Sequence, residues 1–507
     1  MRTILRTTGP LLVLLVLLSG CDNFLTEDPR DLVSPENFFN SEAEVKSAVN
    51  GLYEIYHNNA LYGKIGLDRF YENGADVIGP NREFGQVQPI QNYTLSEGNI
   101  GDISQGGGAP LTWESLYKII KDANVILENV QGNENLSPAV QERWAAETLF
   151  LRALAYYHLT NLWGAVPYYE ENLPISEVRA LGRSPRDSIR TAILEDLETA
   201  QQSMPTTFGG GELGRASRWA AATVETKIHL WLENWQDARD TAVDIIDNSP
   251  HRLLDDYAAV FDPANEYNDE IIWSVDFVKD TNPDDRTDHY TPRIRDEPAD
   301  SDLRPALVDS LSARNLGFTG YGLAIPLPDF VDEFPTDDLR RPSSVIESIF
   351  GIPLNFPYMP KLWNPDQINS PRGNHGENRI VFRLADVYLM AAEAENELNG
   401  PSNAYQYINA VRERAYEPDQ PLEGLSQAQL RDAIRDERRW ELGGEGHRRM
   451  DLIRWGILEE VVRDTEYRVY NPAANIQPRH NLLPIPPVEL QLNPNLLTSD
   501  PTNNGYR

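Results

Sequence analysis

A chain of 507 residues exceeds what one hydrophobic core usually fills, so two lobes or a repeat array are expected. The formal net charge of −33 argues against nucleic acid or an anionic membrane surface as a direct partner. A single cysteine excludes a disulfide framework and any multi-cysteine zinc site. Only seven of the 45 basic residues are Lys, so 38 are Arg. An acidic, Lys-poor surface suits a salt-rich medium, and a GC-rich genome gives the same Arg bias.

The first element is a targeting segment. Arg2 and Arg6 precede the apolar run Leu11–Leu18, which is too short to span a bilayer. Leu18-Ser19-Gly20-Cys21 follows, and the chain's only cysteine stands where a bacterial lipobox requires one. Cleavage before Cys21 would leave its thiol to carry lipid and anchor the protein to a membrane. Residues 22–40 read as an extended acidic leader.

Ser41-x-x-Glu44 is a capping box for a helix through Val45, Val49 and Leu52. Residues 60–110 are Gly- and Asn-rich and read as surface loops. Helices are predicted over Trp113–Val130, from Ser137-Pro138 to Gly164, and after Ser184-Pro185. A Gly-rich loop at 205–214 leads to a helical hairpin at 216–233 and 235–248. Ala222, Ala238, Ala242, Ile245 and Pro250 fall at tetratricopeptide offsets, and Tyr388, Ala404, Ile408 and Val411 repeat that spacing.

Between these hairpins, residues 251–380 lose helical periodicity and gain Pro, Asp, Asn and aromatics. Glu270–Phe277 alternates like a short strand. Residues 381–463 return to helical spacing, and 464–507 form a Pro-rich tail. The expected fold is mainly α, a tetratricopeptide-like hairpin scaffold with an irregular lobe. Its predicted parts are a signal peptide (1–20), an N-terminal helical part (21–250) with binding loops at 60–110, the aromatic lobe (251–380), a C-terminal helical part (381–463) and the tail (464–507).

Motifs of nucleophilic, zinc-protease or phosphate-binding chemistry are missing, and the eight His residues never pair at metal-ligand spacing. No cofactor and no metal are therefore expected. Asp280-x-Asn282-x-Asp284 opens like a calcium loop but lacks the Gly and the closing Glu, so it reads as a solvated acidic loop. Among 78 carboxylates, no pair can be singled out as a glycosidase acid and base. Glu437 to Arg454 alternates in charge, as expected if Arg–carboxylate pairs lock the last helices together. Loop aromatics can stack on the apolar faces of sugars, which makes Tyr93, Tyr290, Tyr321 and Trp363 candidate ligand contacts. The competing reading for each is packing within the lobe.

Several blocks resemble one family. Ala146-Glu-x-x-Phe150-Leu-Arg-Ala-Leu-Ala-Tyr156, Leu162-Trp-Gly-Ala-Val-Pro167, Gly214-Arg-Ala-Ser217, Arg383-Leu-Ala-Asp-Val-Tyr388, Glu437-Arg-Arg-Trp-Glu-Leu442, Gly446-His-Arg448 and Leu483-Pro-Ile-Pro486 look like the signatures of SusD/RagB nutrient-uptake lipoproteins, in the right order. The resemblance implies a lid on the outer membrane over a SusC-type TonB-dependent transporter. It implies capture of oligosaccharide, or in some members peptide, without catalysis. Asp76 and Arg82 match the region where the family often places ligand contacts. The alternatives are an adaptor lipoprotein whose helical grooves bind a protein, and a surface glycosidase. If the acidic composition is an adaptation to salt, the unfolding temperature rises with NaCl; a flat or falling curve in a thermal melt would sink that idea.

Overall fold

Among the described residues the apolar helical periods become ten main helices that pack in chain order. They are α1 (Glu42–Tyr56), α2 (Gly108–Val130), α3 (Pro138–Trp163), α4 (Arg186–Ser203), α5 (Arg218–Trp231), α6 (Trp235–Asn248), α7 (Leu384–Asn399), α8 (Pro401–Glu413), α9 (Gln427–Leu442) and α10 (Arg448–Arg454). This computed structural model describes residues 38–83, 88–101, 108–298, 300–314, 316, 320–363 and 371–507. The signal segment and Cys21 lie outside the described residues. No helix among the described residues is long and apolar enough to cross a membrane.

Each helix from α2 to α8 packs on the next, and α6 meets α7 although 135 residues separate Asn248 from Leu384. The insertion therefore leaves a helical array and returns to it without breaking the stack. Small residues allow this close approach: Ala238, Ala242, Ala391 and Ala394 are fully buried. At α1 the Ser41 side chain accepts the Glu44 N–H, but the reciprocal bond from Glu44 goes to the N–H of Asn40, one residue early.

Helix α3 is buried on all sides from Trp144 to Trp163, so its polar residues must find partners inside. Arg152 makes a two-point contact with Asp196 at 2.7 and 2.9 Å and donates to Asn124 Oδ1 at 2.7 Å. His158 bridges the hydroxyls of Tyr62 and Tyr71 at 3.0 and 2.8 Å. Burial pushes this imidazole down to about 3, so it is neutral.

The insertion is pinned at both ends by one antiparallel pair, β2 (Ile271–Val275) with β6 (Arg379–Arg383). All five β2 residues are buried, so the alternation in its sequence does not mark a solvent face. Trp273 is the reason: its ring packs edge-on against Tyr56, Tyr62 and Phe150, inside the helical core. A shorter pair, β1 (Ile78–Gly79) with β3 (Ile325–Pro326), ties the loop after α1 to the lobe. A hairpin, β4 (Ile346–Ile349) with β5 (Ile352–Tyr358), completes it. The tail crosses the N-terminal helices: Trp163 Nε1 donates to Pro484 O at 3.0 Å, and Arg183 reaches Asp500 and Asn504.

Lobe and scaffold meet through buried ions. Arg340 bonds Asp338, Glu437 and Glu441 at 2.6, 2.6 and 2.8 Å. Arg383 bonds Glu270 at 2.9 Å and Glu445 at 2.6 Å, and also reaches Glu441. Arg414 donates to Glu441 at 2.6 Å and to Glu270 at 2.9 Å, and Lys361 donates to Glu445 at 2.7 Å. The charge alternation of the last helices is thus a lock on the lobe as well as between helices. Burial alone would raise the Glu445 carboxyl, but Arg383 and Lys361 outweigh it and hold it at about 2. Asp451 is held at about 2 against its own burial by Arg438 and Arg454.

Removing one member leaves opposite charges buried and unmatched, so Glu441→Ala is expected to lower stability by about 3–5 kcal/mol in urea titration. Glu445 and Asp451 have folded-state values below those of the unfolded chain, about 4 for carboxylates. Their stabilisation is complete above about pH 4.5 and is lost as pH falls through about 2. Glu72 works the other way: burial raises it to about 7 against two backbone N–H donors, and its contribution fades as pH rises from about 4 to 7. Urea midpoints measured from pH 7 downward should therefore drop steeply below pH 4.5; a midpoint constant down to pH 2 contradicts the network's role.

Candidate functional site

Of the six loop residues that the sequence offers as ligand contacts, four are internal. Asp76 is 4 % exposed and accepts both Arg448 donors at 2.8 Å, with Arg439 at 3.0 Å. Burial would raise its carboxyl, yet Arg448 and Arg439 hold it at about 2. It latches the loop after α1 onto α9 and α10. Tyr93 is buried, and its hydroxyl donates to Gly74 O at 2.7 Å. Gly74 has φ of +81°, and a Cβ there would sit 3.0 Å from the Tyr93 hydroxyl. Tyr290 lies in the lobe core with its hydroxyl 3.3 Å from Asp68, and Trp363 packs in the same core. Asp76, Tyr93, Tyr290 and Trp363 are thus all buried within the fold.

Arg82 and Tyr321 are brought together and remain partly exposed. The loop after β1 carries Arg82, and the segment before β3 carries Tyr321, so the short β1–β3 pair sets their distance. Arg82 Nη2 donates to Tyr321 O at 2.7 Å. Its other nitrogen donates to Asn81 Oδ1 at 2.9 Å and to Asp296 at 3.3 Å. Gly320 is required beside Tyr321, because a Cβ there would meet Thr291 O at 2.4 Å.

Four further residues complete the patch, and none had a sequence signal. Arg372 lies over the Tyr321 ring at 4.8 Å, and His289 flanks that ring at 5.2 Å between centroids. Arg293 and Arg295 both approach Asp296, at 3.5 and 3.6 Å. Burial and then the charges of Asp285 and Asp288 raise the Tyr321 hydroxyl, so it is a donor at neutral pH. Asp288 is itself engaged by His375 at 3.0 Å and by the Gly373 N–H at 2.6 Å, and Asp285 by Lys64. A partly exposed ring among guanidiniums, with its carboxylates already paired, suits holding a polyhydroxylated ligand rather than moving protons.

The calcium-like stretch does other work. Asp284 accepts the N–H of Arg286 at 2.7 Å and the Thr287 hydroxyl at 2.9 Å, and Asp280 is bridged by Asn374.

Residues 336–506 match the SusD family, and residues 23–230 match a family described as starch-binding, associating with outer membrane. A SusD-like protein P25 of Formosa agariphila is 51 % identical over 96 % of this chain and 97 % of its own. The chain belongs to the SusD family. Members of this family bind carbohydrate and are not enzymes. A SusD homologue from Bacteroides thetaiotaomicron has the same fold, with a TM-score of 0.77 at 22 % identity, over 91 % of this chain and 97 % of that one. A laminarin-binding SusD-like protein aligns with a TM-score of 0.72 at 23 % identity, over 89 % of this chain and 97 % of that one. In this SusD-family chain the shared sequence blocks supply the buried locks, such as Arg152, Arg383 and Glu441, while the exposed patch draws on residues outside them.

The two classes of tyrosine should separate in denaturation. Tyr290→Ala is expected to cost about 3–5 kcal/mol, as for other large buried rings. Tyr321→Ala is expected to cost about 1 kcal/mol or less, being partly exposed. Equal losses in urea unfolding would mean that the two rings are equivalent.

Proposed function

We propose that this chain is a cell-surface lipoprotein that captures oligosaccharide at the Arg82–Tyr321 patch and delivers it to a SusC-type TonB-dependent transporter. The observation that carries this reading is the survival of Arg82 and Tyr321 as a paired, partly exposed platform while the other candidates are buried. Family membership supports a carbohydrate ligand and the outer membrane as its place. Cys21, within a lipobox, supports a lipid anchor, and an anchored lid facing outward suits capture before import.

On this reading the sugar packs against the exposed part of Tyr321 while Arg82 and its neighbours donate to hydroxyl oxygens. No bond is made or broken. Release needs only loss of those hydrogen bonds when the lid meets its transporter.

The deciding experiment is purification of the tagged protein from its own outer membrane, followed by mass spectrometry. A large TonB-dependent barrel in near-equal amount is expected. Recovery of the protein alone, or with periplasmic enzymes, would favour the adaptor reading instead. Arg82→Ala combined with Tyr321→Ala should weaken oligosaccharide binding by about tenfold or more in calorimetry. Cys21→Ser should release the protein from the membrane fraction.

A further inference from the structure

The exposed patch has a charge opposite to that of the protein around it. Three guanidiniums, those of Arg82, Arg293 and Arg295, all approach the one carboxylate of Asp296, at 3.3, 3.5 and 3.6 Å. These distances are longer than the 2.6–2.9 Å of the buried pairs, so Asp296 is shared rather than clasped. A fourth guanidinium, Arg304, donates to backbone, at Glu297 O and Arg295 O.

The buried carboxylates beside Arg82, Arg293 and Arg295 are already engaged. Glu297 is fully buried and accepts the Tyr358 hydroxyl at 2.8 Å. Its carboxyl is raised by burial, toward the neutral form. Asp288 and Asp285 are engaged by His375 and Lys64. Burial depresses Arg82, and after burial the repulsion of Arg293 is the largest influence on it. Such crowding costs stability, and the Arg295 side chain is 71 % exposed. The contrast with the rest of the molecule is sharp, since the chain carries a net charge of −33 and most of its internal arginines have carboxylate partners.

We infer that the ligand is an anionic oligosaccharide, one whose sulfate or carboxylate group settles among Arg82, Arg293 and Arg295 while a sugar ring packs beside Tyr321. This inference rests on the glycan-capture reading and adds the substrate class. Guanidiniums suit the task because their planar donors pair with sulfate or carboxylate oxygens at two points. A neutral glycan would leave the surplus positive charge uncompensated. An anionic glycan resolves it, and the otherwise acidic surface disfavours anions everywhere else.

The test is calorimetric titration of the full mature chain with matched pairs. One pair is a sulfated galactan oligosaccharide and its desulfated form. Another is a uronate-containing oligosaccharide and its carboxyl-reduced form, and a neutral β-glucan oligosaccharide is added. At least one charged member is expected to bind about tenfold or more tightly than its neutralised partner, and the pair that responds tells sulfate from carboxylate. The variant with Arg293→Gln and Arg295→Gln should lose that preference, with an unfolding midpoint close to the parent's. If neutral members bind as tightly as charged ones, the charge class is wrong and glycan capture stands. If the preference survives in the double variant, the assignment to this patch is wrong. If no member binds, both the charge class and the glycan reading fall.

Discussion

Glu441 is the hinge of the structure's stability. Its carboxylate receives Arg340 from the lobe, Arg383 from the end of β6 and Arg414 from the end of α8. Three segments distant in sequence are therefore held by one side chain on α9. A buried carboxylate is costly unless each lone pair is met, and here the guanidinium forks meet them. The arrangement tolerates little rearrangement, because moving any partner exposes an opposite charge to a low-dielectric interior. That rigidity is what lets a lobe with little regular structure hold a fixed position on the helices.

The same economy of charge accounts for the surface. Arg152, Arg190, Arg340, Arg379, Arg383, Arg438 and Arg448 are all buried, as are Lys227 and Lys361. Buried carboxylates such as Asp386, Glu437 and Glu441 match this positive charge, so the exterior keeps the acidic surplus of the composition. Arginine suits the interior role better than lysine, since one guanidinium can serve three carboxylates, as Arg340 and Arg383 do. The Arg bias thus has a structural cause beside any habitat or genome effect. The patch around Arg82 stands out against this background because there the guanidiniums outnumber their carboxylate partners.

Function and framework are divided between different residues. The sequence blocks that resemble the family build the interior: Arg152 clasps Asp196, Trp163 holds the tail, and Glu441 receives Arg340, Arg383 and Arg414. The patch is assembled from loops tied down by short pairs such as β1 with β3. Loops of this kind can exchange side chains without disturbing the ion lock beneath.

Helices, the hairpin spacing, the lobe between two helical blocks and the family were legible in the sequence, because apolar periodicity and small-residue spacing are local properties. The ion-pairing role of Glu437 to Arg454 was legible from charge alternation, though not its reach to Arg340 and Lys361. Which loop aromatics face outward was not legible. Tyr290 and Tyr321 are the same residue type in similar Pro- and Asp-rich surroundings, and only the tertiary packing buries one and leaves the other at the surface. Asp76 and Arg82 likewise sit six residues apart, on either side of β1, and a single strand pair turns one toward α10 and the other toward Asp296. Side-chain exposure and the convergence of charges are set by contacts between segments hundreds of residues apart, which no local pattern encodes.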